Sequence, residues 1–478
     1  MKNSERIWDC VDEHAADYTA LSDRVWAMPE LAYGEFRSAE EHRAMLEAEG
    51  FRITTDPAGI PTALVGELGE DGPVFAFLGE YDALPGLSQE AGADAPVALP
   101  GNGNGHGCGH NMLGSAALLG AVAFAQYLKE TGQKGRVRYY GCPAEEGGAA
   151  KAFMVRAGLF EDVDAAVTWH PATITRVDDM RSLANTRIDF TFHGRSSHAA
   201  AAPHLGRSAL DGVELMNIGA NYLREHIPQE CRLHYAVLDA GGSAPNVVQA
   251  RATVRYQLRA VDLATLLPVK ERILQIASGA AQMSGTTVEH HVRSGVSNML
   301  ENPTMTDVMA AVMDRLGPVP YDAADYDYAR RLQATMTDED IEATYLRAGI
   351  KNFDDMALCD IVVPKDSPTA PMMGSTDVGD VSWVVPTVQC RVGTWAIGTP
   401  GHSWQVTAQG TSGQAHKGLI HAAKIMAGTA VELLEKPELL AAAKADMAAI
   451  HARTPYICPI PEGVPVPIIP RPANLAAE

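Results

Sequence analysis

The tightest constraint on this chain is a series of short apolar runs that each stop at polar, chemistry-bearing residues. Segments 73–78, 137–142 and 165–169 are strand-length and mostly apolar, as strands buried on both faces of a sheet must be. Helical stretches separate them, above all 112–128, whose small apolar residues suit a helix in the middle of a domain. Strands alternating with helices predict an α/β domain with a largely parallel sheet, where chemistry gathers at the carboxyl ends of the strands. Glu80-Tyr81-Asp82, Glu145-Glu146 and His170 fall at those ends.

A chain of 478 residues exceeds the roughly 100–200 of one domain. Segment 7–49 reads as two helices broken at Met28-Pro29-Glu30, with Ser38 placed to cap 39–49 and Gly50 to stop it. Short strands follow at 51–53 and 63–65, and 87–107, rich in Gly, Ala and Pro, reads as a flexible loop leading to Cys108. Near Asn185 the texture changes to strand 187–192, helix 208–224, strands 232–238 and 250–259, helix 264–284 and strand 286–293. That β-α-β-β-α-β order is the split ferredoxin-like unit. The expected organisation is therefore one domain made of 1–185 and 297–478, with a second, 186–296, inserted into it. Helices are expected at 304–316, 338–349 and 418–435 and a strand at 384–392, whereas the acidic, tyrosine-bearing stretch 321–328 shows no periodicity. Residues 455–472 are Pro-rich and read as an extended tail or arm.

Lys and Arg total 38 against 59 Asp and Glu, a formal charge of −21, and no basic run stands out. Nucleic acid and anionic membranes are thereby excluded as expected partners. An anionic ligand must instead be caught by a local Arg or by bound cations. No run of about 18 apolar residues is apparent, and the polar first residues lack a basic-then-apolar leader, so the expected location is cytoplasmic. The seven cysteines are odd in number and scattered, which fits free thiols, at least one of them available as a ligand.

Cys108-Gly109-His110 sets a thiol and an imidazole two residues apart behind a glycine loop. Taken singly such a short motif is more often incidental than metal-binding. Glu145-Glu146 is either a solvated acidic loop or a metal ligand beside a general base. His170 reads equally as a ligand or a hydrogen-bonded core histidine, and His402 lies in another glycine-flanked turn. Four loops ending in Cys/His, Glu/Glu, His and His are harder to dismiss together. Mixed S, N and O donors suit zinc or a similar divalent ion, and their number exceeds what one tetrahedral ion needs. A Cys108 thiolate acting as nucleophile is the competing use. In the second domain, His198 and Asn246 sit in glycine turns that are either ordinary hairpins or donors toward a substrate carbonyl. Arg259 is a candidate fork for a carboxylate.

Gly107-Cys108-Gly109-His110-Asn111-Met112, Pro143-Ala144-Glu145-Glu146-Gly147, Trp169-His170-Pro171, Gly194-Arg195-Ser196-Ser197-His198 and Gly241-Gly242-Ser243-Ala244-Pro245-Asn246 occur in the order of the aminoacylase/carboxypeptidase G metallopeptidase family. The chain resembles its branch of hippurate hydrolases and plant auxin-conjugate amidohydrolases over about residues 20 to 435. The resemblance implies a metal-dependent amidohydrolase that cleaves N-acyl amino acids, conjugates of the p-aminobenzoyl-glutamate type among them. By the same likeness Cys108, His110, Glu146, His170 and His402 hold two divalent ions (zinc or manganese). Glu145 is the general base, and Asn246 and Arg259 bind substrate. The inserted domain is a lid and dimerisation domain, with His198 reaching the partner's active site in a homodimer. A heteromer with a related subunit, the chain serving as its partner subunit, and a thiol-dependent acyltransferase using Cys108 are the alternatives. Two departures stand out. Larger relatives carry a metal-binding His two residues before an Asp where this chain has Glu80-Tyr81-Asp82, which leaves Asp82 to orient a ligand; and 321–371 is longer than in simple members.

Overall fold

The computed structural model describes residues 3–350, 356–368 and 374–472. The first unit opens with helices α1 (Asn3–Trp26) and α2 (Phe36–Ala48), followed by strands β1 (Arg52–Thr55), β2 (Leu64–Leu68) and β3 (Val74–Glu80). Next come α3 (His110–Thr131), β4 (Arg136–Cys142), α4 (Ala150–Arg156), β5 (Ala165–Ala172) and the two-residue β6 (Arg176–Val177). The second unit runs through β7 (Ala184–His193), α5 (Ala209–Leu223), β8 (Arg232–Asp239), β9 (Arg251–Ala260), α6 (Leu263–Ser284) and β10 (Thr287–Val296). The chain then returns through α7 (Pro303–Leu316), α8 (Ala323–Gln333), α9 (Asp338–Ala348), α10 (Val378–Ser382), β11 (Thr387–Gly393), α11 (Trp404–Gln409), α12 (Gly413–Glu435) and α13 (Pro437–His451).

The larger sheet has the order β1-β2-β4-β3-β5-β11-β6. Its central strands β4, β3, β5 and β11 are parallel, as their apolar composition predicts, and β1, β2 and β6 add antiparallel edges. Helix α3 is long and apolar enough to cross a membrane, but 94% of its apolar stretch is buried between this sheet, α1 and α12. It is a core helix. The second sheet is antiparallel with the order β10-β7-β9-β8, that is 4-1-3-2 within the unit. Helices α5 and α6 cover one face, the topology of the split β-α-β-β-α-β unit.

Local expectations were corrected in five places. Ser38 lies inside α2 and does not cap it; its backbone N and Oγ both donate to Glu30 Oε2 at 2.9 Å, so a carboxylate from the Met28-Pro29-Glu30 break organises the helix start. The stretch 321–328 holds a helix start: α8 begins at Ala323, Asp322 and Asp325 form a reciprocal capping box there, and Lys417 pairs with both. The loop 87–107 is tied down, with Leu84 paired to Gly105 and the amides of Asn102 and Asn104 donating to Pro29 O. A Cβ on Gly105 would sit 1.9 Å from Leu87 O, so only glycine allows this approach. The strand expected at 384–392 is shifted to β11, and α13 was not anticipated. The Pro-rich tail, extended as expected, packs on the molecule: Ile460 is buried, and Arg156 donates to Pro461 O and Val464 O at 2.8 and 2.9 Å. Of the long segment 321–371, residues 351–355 and 369–371 lie outside the described residues.

Candidate active site

Loops leaving β3, β4, β5 and β11 converge with the start of α3. Gly109 has φ +77, and a Cβ there would come within 2.9 Å of Met112 and 3.0–3.1 Å of Trp395 and Pro171. Glycine is required at this turn, which brings Cys108 and His110 to one centre. After β4, Ala144 is left-handed (φ 60), and the Glu146 backbone N donates to Asp82 Oδ2 at 2.9 Å. His402 is also left-handed (φ 55) and is tied by its backbone N to Gly107 O at 3.0 Å. Such non-glycine positions cost on the order of 1–3 kcal/mol each and persist where surrounding structure enforces them, commonly at functional sites.

The ligand atoms of Cys108, His110 and His170 lie within 4.8 Å of one another, and so do those of Cys108, Glu146 and His402. The two triads share Cys108 and together contain the five expected ligands. His110 Nδ1 is 2.8 Å from Asp82 Oδ1, and His170 Nδ1 is 2.7 Å from Pro171 O. Each outer nitrogen is thus engaged and each Nε2 is left for the centre. His110 Nε2 and Glu146 Oε1 are buried without hydrogen-bond partners among the described residues. They lie 3.3 Å from Glu80 Oε2 and 3.4 Å from His402 Nε2, outside hydrogen-bond geometry. Two buried acceptor atoms without partners, in a set of S, N and O donors, fit borderline divalent cations.

The two acidic donors are held in the anionic form a cation requires, and their charge raises His110 and His402, whose protons a bound cation would displace. Burial raises the Cys108 thiol and Glu146 raises it further, but His170 and His110 outweigh both and hold it at about 6. Burial would also raise Glu146, yet His402, His110 and Cys108 pull it down to about 2. The nearby Cys108 and Glu146 lift His402 to about 10. Glu145 goes the other way: burial first, then the charges of Glu80 and Glu146, raise it well above an ordinary carboxylate. A raised carboxylate suits a base that must later release its proton.

A third group, Glu80, His110 and Glu145, also has donors within 4.8 Å. Glu80 is engaged elsewhere, however, because the wholly buried Lys151 ammonium lies 2.6 Å from its Oε1 and 2.7 Å from Asp377 Oδ1. Neither Lys151 nor Arg187, whose Nη1 reaches Gly147 O at 3.5 Å beside the glutamate pair, was anticipated. The usable signals were a lone lysine in the otherwise apolar start of α4 and an arginine alternating with apolar residues in β7.

The structure does not bring the second unit's expected residues to the donors. His198 and Asn246 share a turn through the His198–Val247 bridge, but both are exposed, and His198 Nδ1 accepts from the backbone N of Ala200 and Ala201. Arg259 turns toward the first unit and donates from Nη1 to Ser375 Oγ at 2.9 Å. A cavity of about 460 Å³ opens on Cys108, His170 and His402 and is walled further out by Arg176, Thr344, Arg347, Arg391 and Trp395. A larger hollow of about 910 Å³ near His14 and Lys129 contains none of the site residues, so size alone does not locate the chemistry.

Residues 76–410 match the model of peptidase family M20/M25/M40. The chain belongs to this family. It is 42% identical to one of the p-aminobenzoyl-glutamate hydrolase subunits of Escherichia coli (strain K12), over 96% of this chain and 97% of that one. Among solved structures, a dinuclear metal binding peptidase of the M20 family from Bacillus subtilis superposes with a TM-score of 0.56 at 18% identity, covering 89% of this chain and 99% of the other. The aminobenzoyl-glutamate utilization protein from Klebsiella pneumoniae superposes with a TM-score of 0.54 at 18% identity, covering 86% and 96%. These two likenesses establish the shared fold, and family membership makes the chain a hydrolase of amide bonds.

Proposed function

We propose that the chain is a two-metal amidohydrolase that releases an amino acid from an N-acyl conjugate, with p-aminobenzoyl-glutamate as the leading substrate. The observation that carries this reading is the pair of donor triads sharing Cys108, with the raised Glu145 alongside. The near-complete alignment to one chain of a p-aminobenzoyl-glutamate hydrolase supports the substrate. Cys108, His110, Glu146, His170 and His402 would hold zinc or manganese. Such ions supply Lewis acidity to the attacking water and the amide carbonyl. Glu145 takes the proton from water as its oxygen bonds to the carbonyl carbon, then passes that proton to the departing nitrogen as the C–N bond breaks. Asn246 and Arg259 are assigned to substrate binding.

His198 is assigned to the oxyanion of a neighbouring subunit. Its exposure supports action in a homodimer, as does an uncovered apolar surface on the same unit. Edge strand β8 presents Tyr235, Val237 and Leu238, and α5 presents Ile218 and Tyr222, the kind of edge proteins normally cover. If His198 acts in trans, inactive His198→Ala and Glu145→Ala chains mixed 1:1 regain about a quarter of wild-type activity, because half the dimers are mixed and each mixed dimer has one intact site. No recovery on subunit exchange assigns His198 to its own chain, and a His198→Ala chain that is active alone removes its catalytic role.

The direct test is amino-acid release from a panel of N-acyl-glutamates, aspartates and neutral amino acids by the purified chain, before and after chelation and metal readdition. Activity lost to the chelator and restored by zinc or manganese is expected. A second reading, a chain active only together with a related one, is favoured by the name of the Escherichia coli relative, which makes it one subunit of its hydrolase. A folded, metal-loaded chain that cleaves nothing alone would select that reading.

A further inference from the structure

The cavity beside the donor cluster carries arginines that the catalytic scheme does not use. In the larger sheet His170 of β5 is in register with Arg391 of β11, and Arg391 with Arg176 of β6. In-register neighbours share a face of a sheet, so these three side chains form a row running outward from the catalytic centre. At strand spacings of about 4.8 Å the row spans roughly 10 Å. Two arginines directly opposite each other on adjacent strands repel, and burial makes the arrangement costlier. Arg176 is only 3% exposed. Its Nε and Nη2 donate to the backbone carbonyls of Val177 and Lys365 at 3.1 and 3.0 Å, while Nη1 has no partner among the described residues.

The aspartates on the same wall are already engaged. Asp178 accepts from Gln389, from Arg391 Nε at 3.1 Å and from the backbone N of Asp179 at 3.0 Å, and Asp179 pairs with Arg181 at 2.7 Å. Both aspartates act on Arg176 through space, but neither makes an ion pair with it among the described residues. Thr344 and Arg347, three residues apart on α9 within the segment that lengthens this chain, line the same cavity. Helix α9 is fixed there by Tyr345 and Ala348, which pack with Ile174, Cys359, Val363 and Ile397. Asp179 and Asp178 offset part of the cost of burying this guanidinium, but burial outweighs them and Nη1 stays unpartnered among the described residues, so an anionic ligand there would supply both the bond and the remaining charge. A chain of formal charge −21 has no general attraction for anions, so this local excess is selective.

We propose that Arg176 and Arg347 form a second anchoring subsite, one that takes a carboxylate carried by the substrate at a distance from the scissile amide. The proposal deepens the amidohydrolase reading and rests on it for the bond that is cut. The carboxylate belongs either to the side chain of the released amino acid or to the acyl group. N-benzoyl-L-glutamate against N-benzoyl-L-glutamine tests the first source, and N-succinyl-L-phenylalanine against its succinamoyl counterpart tests the second.

For each pair kcat/KM is measured on the metal-loaded full chain, with calorimetric affinity where no turnover occurs. Wild type is expected to favour the carboxylate in one pair. Arg176→Gln and Arg347→Gln should each reduce that preference by about 10- to 100-fold through KM or Kd, leaving the amide analogue unchanged. Arg347 lies on an exposed helix face, so its substitution remains informative if Arg176→Gln does not fold. Wild type indifferent to charge in both pairs, or a preference that survives Arg347→Gln, overturns the subsite. Preferential binding without cleavage supports the subsite and counts against the amidohydrolase reading alone.

Discussion

Glu145→Ala is expected to lower kcat by roughly 10²- to 10⁴-fold, the usual contribution of a positioned general base, while metal content stays at the wild-type level. Glu145 and Glu146 are adjacent in sequence but diverge: Glu146 groups with Cys108 and His402, Glu145 with Glu80 and His110. Their protonation differs accordingly, Glu146 held at about 2 by His402, His110 and Cys108 against the cost of burial, Glu145 raised by burial and by Glu80. Glu146→Ala should give the opposite signature, loss of bound metal together with activity. Elemental analysis of both dialysed variants separates the roles, and metal lost from Glu145→Ala would reverse the two assignments. The Glu80-His110-Glu145 group is not expected to take an ion, because Lys151 already neutralises Glu80.

Lys151→Met should destabilise the fold by roughly 3–5 kcal/mol near neutral pH, the range for removing one partner from a buried ion pair. Lys151, Glu80 and Asp377 are all buried, and the ammonium is within 2.7 Å of both carboxylates. Burial raises Glu80 and Asp377; in the native chain Lys151 opposes that for both, and for Glu80 it prevails with help from His110. Without the ammonium both carboxylates titrate above their unfolded values of about 4. A raised folded pKa favours the native state below the unfolded pKa, and this is lost as pH rises through the folded value. The deficit should therefore be largest near pH 7 and shrink as pH falls toward about 4 to 5. Thermal melts of both proteins across that window measure it, and equal melting temperatures at pH 7 would remove the triad's structural role.

The sequence by itself determined the class of fold and pointed to the candidate donors. Runs such as 73–78 and 137–142 are too apolar for any place but a sheet covered on both faces, and the parallel centre of the larger sheet follows. Cys108, His110, Glu145, Glu146, His170 and His402 were legible because each sits in a short motif where a strand or glycine turn meets a residue of distinctive chemistry. Helix α8 was not, because its start depends on reciprocal caps from Asp322 and Asp325 in a stretch without apolar periodicity. The Lys151 triad joins residues 71 and 226 positions apart, and the row from His170 through Arg391 to Arg176 exists only through strand register. The placement of His198, Asn246 and Arg259 was likewise decided by tertiary structure, which leaves the first two exposed and turns Arg259 to Ser375. The physical reason is common to all of these. Backbone pattern and residue chemistry are local and can be read along a chain, whereas charge compensation and strand register are pairings between distant segments, set only when the chain folds.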